Sequence, residues 1–529
     1  MSTTTDRAGT TGATADGGSE DLLPPVSRGW LAAAGVVAGA GAVSLSEATA
    51  WTLRAGTSPV GAVAAVVRDV TPGAVAEFLI GLVGTADKPL LLGGTVLVLL
   101  GVCGYAASWA RRAPLAPDLA FLGLAAVGFA AVMSRPAPAT AAALALVVGV
   151  MTWVVTLRLL TGPVLDDRPG DGADADREGR RRFLRRAGLV VGVVAVLTVA
   201  GRAAGGVRRG VEQSRRLLRL PVTLGEVPVR AELGVDGVAP WRTPDEEFYL
   251  IHTALASPAI RPEDWALRIH GMVDREVRLT YQDLLDRRLT EAWVTLCCVS
   301  NPVGGDLIGN AFWSGVPVRE LLAEAGVRDA ADAVLQTSQD GWTCGTPLEA
   351  LTDDRNALLA VAMNGRPLPV DHGFPVRMVV PGLYGYVSAT KWLVDLEVTR
   401  FEDVSAYWTD RGWSELGPVK TMSRVDVPRD GSDVPAGDVV VGGVAWAQHT
   451  GIEKVEVQVD GGPWTEAVLG GSENDDTWVQ WRLRVEVEPG DHEVVVRATD
   501  KRGLTQTAAR ADVVPDGASG WDGSSFTAR

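Results

Sequence analysis

Cysteine and histidine are the residues best equipped for metal or nucleophile chemistry, and their distribution in this chain is narrow. Of four cysteines, Cys103, Cys297, Cys298 and Cys344, two are adjacent in the run Thr295-Leu-Cys-Cys-Val-Ser-Asn301. Four are too few for a disulfide scaffold, and no Cys and His spacing suggests zinc or a c-type haem. Free cysteines commonly serve as small core hydrophobes. A thiolate is also a soft, polarizable metal donor. Neighbouring residues on an extended chain point to opposite sides, so only one of Cys297 and Cys298 can face a metal. All five histidines, His252, His270, His372, His449 and His492, fall in the later part of the chain. The earlier part therefore offers no imidazole pair for a b-type haem.

That earlier part must hold the rest in place. The 529 residues are 47% hydrophobic with mean hydropathy +0.14, and Ala, Leu, Val and Gly crowd into the first 210 positions. Uncharged runs cover Trp30–Ser46, Pro89–Ala110, Leu119–Ser134, Pro136–Leu157 and Ala187–Gly201. The second and fourth reach bilayer length, and the others need flanking residues or snorkelling arginines. Five spans over residues 29–204 are expected, the fifth having a re-entrant or buried helix as its alternative. Segment 74–86 carries Glu77 and reads as amphipathic or re-entrant, and the Ser, Thr, Gly and Asp-rich residues 1–28 read as a disordered cytoplasmic tail. No charge lies within the runs, so no ion path is indicated.

Arginines orient the spans. Arg111 and Arg112 follow the second run, and Arg158, Arg168, Arg177, Arg180, Arg181, Arg182, Arg185 and Arg186 fill the linker before the fifth. Both segments read as cytoplasmic, which puts everything beyond residue 202 outside the cell membrane. The stretch Arg180-Arg181-Arg182-Phe183-Leu184-Arg185 also resembles a twin-arginine export signal; a plain basic flank explains it equally. The net charge of −15 and pI of about 4.9, with no basic face, exclude a nucleic-acid partner.

After a linker at 205–244, residues 245–400 read as α+β. Trp265–His270 and Val376–Val380 look like strands, and Thr280–Arg287 and Val318–Ala325 like short helices. A connecting segment, 401–424, leads to Val439–Trp446, Ile452–Val459, Trp478–Val487 and Glu493–Ala498, a β-sandwich pattern over 425–514. Residues 515–529 read as a flexible tail.

The motifs are more specific than the periodicity. Besides Thr295–Asn301 they are Phe312-Trp-Ser-Gly-Val-Pro-Val318, Met363-Asn-Gly-Arg-Pro-Leu-Pro369, Asp371-His-Gly-Phe-Pro-Val-Arg377, Pro381-Gly-Leu-Tyr-Gly385 and Lys391-Trp-Leu393. In this order they resemble the oxidoreductase molybdopterin-binding family that includes sulfite oxidases and plant-type nitrate reductases. The resemblance implies a molybdenum–molybdopterin cofactor, with Cys298 as the metal-ligating thiolate and His372, Arg377 and Lys391 holding the pterin and its phosphate. It implies further cofactor contacts from Asp340 and, near the domain's start, His252. Gly451–Val457, Asp460–Trp464 and Arg497–Asp500 resemble the immunoglobulin-like dimerisation domain of sulfite oxidases, which implies a homodimer.

Departures from the family bear on substrate. Sulfite oxidases carry an arginine two residues before the histidine matched by His252, where this chain has Leu250. They commonly place arginines after the asparagine matched by Asn301, where this chain has Pro302, Val303, Gly304 and Gly305. A desolvated divalent oxyanion needs compensating cations. Sulfite is thus permitted and a neutral sulfoxide fits better, with Trp342, Tyr384, Tyr386, Tyr407, Trp408 and Trp413 as candidates to shape the pocket. The expected function is two-electron oxo transfer on a small substrate. Electrons pass to or from a separate carrier, a quinone or a cytochrome. The rival is a non-catalytic extracytoplasmic binding or adhesion protein that reuses the scaffold.

Overall fold

The computed structural model describes residues 26–53, 55, 58–72, 75, 82, 86–135, 139–165, 173–204 and 207–529. The expected tail 1–28, but for residues 26–28, lies outside the described residues, as does most of segment 74–86. The helices of the first part are α1 (Val26–Thr52), α2 (Pro59–Val70), α3 (Asp87–Ser108), α4 (Ala116–Met133), α5 (Ala139–Leu165) and α6 (Ala173–Ala204). Five stretches are long and apolar enough to cross a membrane: Arg28–Thr52, Asp87–Ser108, Ala116–Met133, Thr140–Thr161 and Phe183–Ala200. Each overlaps one of the five expected runs. Helix α6 also takes in the arginine tract, since no proline lies between Ala173 and the apolar run and the lone Gly179 is tolerated. At 12 residues α2 is too short to span; Ser58 caps it by accepting from Gly61 N–H, with Pro59 as its first residue.

Small residues let these helices approach closely. A side chain at Gly35 would strike the Cys103 carbonyl and Ala107, and one at Gly149 would strike Ala42 and Ser46. Trp30 meets Phe183 edge-on at 4.9 Å, while Gly41 lies against Val194. Helix α1 therefore runs antiparallel to α3 and α5 and parallel to α6. Arg111, Arg112, Arg158, Arg181 and Arg186 gather at one end of the bundle, where Arg158 pairs with Asp118 at 2.5 Å. At the other end Arg135 pairs with Asp69 at 2.9 Å, and the later domains sit there.

Residues 207–244 of the expected linker are packed. Helix α7 (Val207–Leu217) buries Val211 beside Phe248, Phe374 and Leu368, and Arg208 pairs with Asp371 at 2.8 Å. Trp241 and Trp478 each donate an indole N–H to the other's carbonyl, at 3.1 and 2.8 Å. These apolar anchors are too widely spaced for a periodic signal.

Two sheets build the α+β domain. In one the strand order is Val277–Thr280, Ala266–Gly271, Leu393–Thr399, Ala333–Ser338, Thr343–Pro347, with Ala266–Gly271 parallel to Leu393–Thr399. The other pairs Thr290–Cys297 with Ile308–Pro317, then Leu358–Met363, which also carries Arg366–Pro367 and Arg377–Val379. The helix Tyr281–Leu285 begins at a reciprocal Thr280–Asp283 cap, and Val318–Ala325 stops at Gly326 with φ +74°.

Beyond residue 421, two sheets face each other across Val441, Val455, Val457, Trp481, Val494 and Val496. The last residues are not a loose tail. Asp522–Ala528 is a strand between Ser432–Val434 and Gly490–Asp500, with Phe526 and Ala528 buried. Its Gly and Ser content hid a period-two pattern in which the buried residues alternate. This last part also braces the strand ahead of the cysteines: Trp478 N–H donates to Thr295 Oγ1 and Asn474 Nδ2 to the Trp293 carbonyl.

Candidate functional site

Strand Thr290–Cys297 is buried along its later part and delivers the cysteine pair to a tight loop. Cys298 N–H donates to the Leu307 carbonyl at 2.9 Å, and Asn301 Oδ1 accepts from Leu307 N–H at 2.9 Å, so Asn301 closes the loop. The two thiols part as the strand geometry requires. Cys297 packs in the main hydrophobic core. Cys298 places Sγ 2.9 Å from Ser300 Oγ, and burial raises its pKa while Ser300 and the Lys391 ammonium oppose the rise. Burial pushes Cys297 well above the usual thiol range.

The Asp371–Arg377 motif makes one turn of 3₁₀ helix and then a strand. Gly373, at φ +111°, lets the chain reverse where a side chain would meet Arg377 and the backbone of Lys391. His372 is buried, and its Nδ1 has no hydrogen-bond partner. Burial, with Lys391 and Arg377 nearby, lowers its pKa to about 3. Arg377 is 3% exposed and donates only to carbonyls, those of His372 at 3.2 Å and Met378 at 3.3 Å. Desolvation lowers its pKa to about 10. Its guanidinium lies over Trp313, 5.0 Å from the ring centre.

Lys391 donates to the Ile251 carbonyl at 3.1 Å, and burial together with Arg377 lowers its pKa well below the usual lysine range. His252 meets Trp392 edge-on at 5.5 Å; desolvation, then Lys391, bring its pKa to about 3. Asp340 stands in the turn between Ala333–Ser338 and Thr343–Pro347. That turn is tied to Trp392 by Gln339 N–H, but the Asp340 carboxylate accepts from Trp342 N–H and makes no bond to the histidines or cations. The fold thus groups Cys298, His372, Arg377, Lys391 and His252 more closely than it does Asp340.

Of the aromatic candidates for a pocket wall, several are packing. Tyr386, Trp408 and Trp413 form a cluster with centroids 5.8 and 6.0 Å apart, and Tyr384 lies under Gly517. Tyr407 stacks on Arg411, at 3.7 Å, and on Arg68 of α2, so it belongs to the junction with the membrane helices.

Comparison with known proteins matches residues 254–408 to the family described as oxidoreductase molybdopterin binding domain. The uncharacterized oxidoreductase YuiH of Bacillus subtilis is 32% identical over 180 residues, covering 34% of this chain and 87% of that protein. The chain belongs to the oxidoreductase molybdopterin-binding family. Sulfite oxidase of Gallus gallus is 31% identical over 307 residues, covering 49% of this chain and 66% of that protein. This chain spans less than two thirds of the length of the sulfite oxidases it matches. The sulfane dehydrogenase SoxCD of Paracoccus pantotrophus superposes with TM-score 0.45 at 24% identity, over 55% of this chain and 81% of that one.

The residues present fit the cofactor class that the family's description names. A buried guanidinium with carbonyls as its only acceptors is costly unless an anion answers it, and a phosphate-bearing pterin is an anion. The orphaned His372 Nδ1 awaits a polar partner. Among the described residues no three His, Cys, Asp or Glu side chains group as metal ligands. When bound, a molybdopterin supplies a metal that changes oxidation state by two electrons. The protein's part is to fix its orientation and surrounding charge.

Three neighbours of the site escaped the sequence reading. Tyr249 lies beside the Cys297 carbonyl and Gly385, its hydroxyl pKa raised by burial and the two thiols. Lys88 and Arg68 come from the membrane helices and reach the His252 loop. No local motif links them to partners so distant in sequence. They also revise the charge argument: Leu250 is uncharged and half exposed, yet Lys88 sets a cation beside His252.

Proposed function

We propose that this chain is a membrane-anchored molybdenum-cofactor oxidoreductase that carries out two-electron oxo transfer on sulfite or a small sulfoxide. The observation that carries the reading is that Lys391 stands within charge range of the buried Cys298 thiol, of Arg377, whose guanidinium ends on carbonyls, and of His372, whose Nδ1 has no hydrogen-bond partner. Cys298 is the metal ligand, and Arg377, His372, Lys391, His252 and Asp340 hold the pterin and its phosphate. A neutral His372 accepts or donates a hydrogen bond to the pterin without adding charge. Arg377 and Lys391 neutralise the phosphate, which offsets the cost of burying them. Tyr249, protonated at working pH, supplies a hydroxyl near the thiols.

The test is the purified full chain from a molybdenum-replete host, analysed for metal and assayed with artificial dyes in both directions. One molybdenum per chain, with turnover of sulfite or a sulfoxide, supports the proposal. A metal-free chain after verified maturation removes it in favour of a binding protein.

The same reading puts the catalytic domain outside the cell, since the arginine-rich end of the bundle is the opposite one. Residues beyond 424 are an immunoglobulin-like dimerisation domain, and the electron carrier is a quinone or cytochrome. Changing Arg180, Arg181 and Arg182 together to Lys preserves charge and blocks a twin-arginine route. Unchanged delivery would show that the tract only orients α6.

A further inference from the structure

Three consecutive carbonyls in the loop that carries His252 are each taken by a cation from a different element. Lys391 Nζ donates to the Ile251 carbonyl at 3.1 Å, Lys88 Nζ to that of His252 at 3.0 Å, and Arg68 Nη1 to that of Thr253 at 2.5 Å. Lys88 stands in the first turn of α3 and Arg68 in the last turn of α2. Two of the three donors therefore belong to the membrane-side helices.

Residues 249–254 belong to no helix or strand, and although Tyr249 and Ala254 pack at its two ends, the side chains of Leu250 and Ile251 between them are 47% and 46% exposed. Ladder bonds are absent from the segment and apolar burial is confined to its ends, so its middle needs other contacts to offset its conformational entropy. Charged donors on carbonyls are among the stronger hydrogen bonds. Lys88 also stands 3.4 Å from His252 Nδ1, so the ring as well as the backbone is within its reach. Arg68 is itself steadied, pairing with Asp69 at 2.7 Å and lying over Tyr407. Asp69 in turn binds Arg135 beyond α4, and its carbonyl accepts from Arg411 of the soluble domain.

We infer that Lys88 and Arg68 are positioning residues, through which α2 and α3 clamp the His252 loop onto the cofactor site and make the membrane helices part of its architecture. The functional weight of the clamp rests on the reading of His252 as a cofactor-side residue; its existence does not. An anchor that served only as a tether would leave this loop indifferent to its helices.

A nitroxide on Leu250→Cys, whose side chain is half exposed while the four native cysteines are buried, reports the loop's mobility in the full chain in lipid nanodiscs without turnover. Lys88→Met and Arg68→Met should each raise the label's mobility roughly threefold or more, leaving a control label on Glu453→Cys in strand Ile452–Val459 unchanged. Lys88→Arg, which keeps a cationic donor, should restore most of the immobilisation. The His252 ring gives a second readout through exchange of its C2 proton. Burial first, then Lys391 and Lys88, hold its titration down, and Asp371 with the Ala254 backbone opposes them, so Lys88→Met should move the midpoint upward and Lys88→Arg should not. Unchanged label mobility in either methionine variant overturns the clamp. Arg68→Met, on another helix, decides the matter should Lys88→Met fail to accumulate. Since neither readout needs molybdenum, loss of the Cys298 assignment would leave this result standing.

Discussion

In the C-terminal part Arg424 is buried and answered: its Nε lies 2.6 Å from Asp426 Oδ1 and it also donates to the Gly305 carbonyl. Arg377 is buried as deeply and ends on carbonyls alone. The histidines divide in the same way. His449 and His492 face Asp476 and Asp460, which raise their pKa. His372 and His252 have no carboxylate bonded to the ring, and burial holds them near pH 3. The same residue types are finished structure in one region and an unfinished half in the other. What distinguishes them is whether the chain itself supplies the counter-group.

The largest effect should come from the residue with no equivalent elsewhere. Cys298→Ser should lower turnover on the order of a hundredfold or more per bound molybdenum, since a hydroxyl cannot replace a soft sulfur donor. Cys297→Ser, in the core, should cost no more than a modest packing penalty. Activity normalised to molybdenum separates the two. A dead Cys297 variant beside a normal Cys298 variant would shift the ligand by one residue.

Next in size is the contrast between the two arginines. Arg377→Met removes a desolvated cation together with its bonds to the His372 and Met378 carbonyls, so the apo form should stay within about 1 kcal/mol of wild type. It should nonetheless lose most of its cofactor. Arg424→Met leaves the Asp426 carboxylate with only the Ala239 N–H as partner and should cost about 3 kcal/mol with cofactor binding affected only through stability. Denaturant midpoints of the apo-proteins and molybdenum content would show it; equal destabilisation by both changes would erase the distinction.

Much of this was legible in the residues. Long uncharged runs announce spans because every backbone group in lipid must be satisfied within a helix, and the five helices follow them. The short helix Val318–Ala325 was visible in the residue pattern, and the structure ends it at Gly326. The motifs brought His372, Arg377 and Lys391 into one neighbourhood, and the structure groups them. Asp340 is joined through its turn, and its carboxylate reaches the group by charge on Lys88 and not by a hydrogen bond. What could not be read is long-range: α2, too short and too charged at Arg68 and Asp69 to register as a span; the strand Asp522–Ala528, hidden by Gly and Ser; and Lys88, whose partner lies in another domain. Local pattern reports what a segment wants to bury, not which distant loop it will meet.

A smaller effect is the acid response of the apo-protein. The folded pKa of His372 lies at about 3, below its ordinary 6.5, so the unfolded chain binds the extra proton first. The stability tied to the neutral ring is present above pH 6.5 and drains away as the pH falls toward 3. His372→Asn should flatten that part of the apo-protein's stability curve between pH 6.5 and 4. An unaltered slope would mean that the ring is not held neutral by its surroundings.

The smallest effect has the opposite sign and closes the comparison. His492 has both ring nitrogens engaged, Nδ1 with Asp460 Oδ2 and Nε2 with the Glu488 carbonyl, each at 2.7 Å. Two acceptors favour the doubly protonated ring, and its pKa is raised, chiefly by Asp460. Its contribution is thus fully present below pH 6.5 and is lost as the pH rises through the folded value. The pair is open to water, so the gain is roughly 0.5 kcal/mol or less. Amide exchange of residues 458–494 in the full chain should therefore be slower in wild type than in His492→Gln at pH 5.5, once corrected for intrinsic rates, and equal at pH 8.5. Asp460 also accepts from Glu493 N–H, and that bond survives the change, so what disappears is the charge-dependent part alone. A difference that grew with pH would put His492 in the same class as His372, and the contrast between answered and unanswered imidazoles would no longer mark out the site.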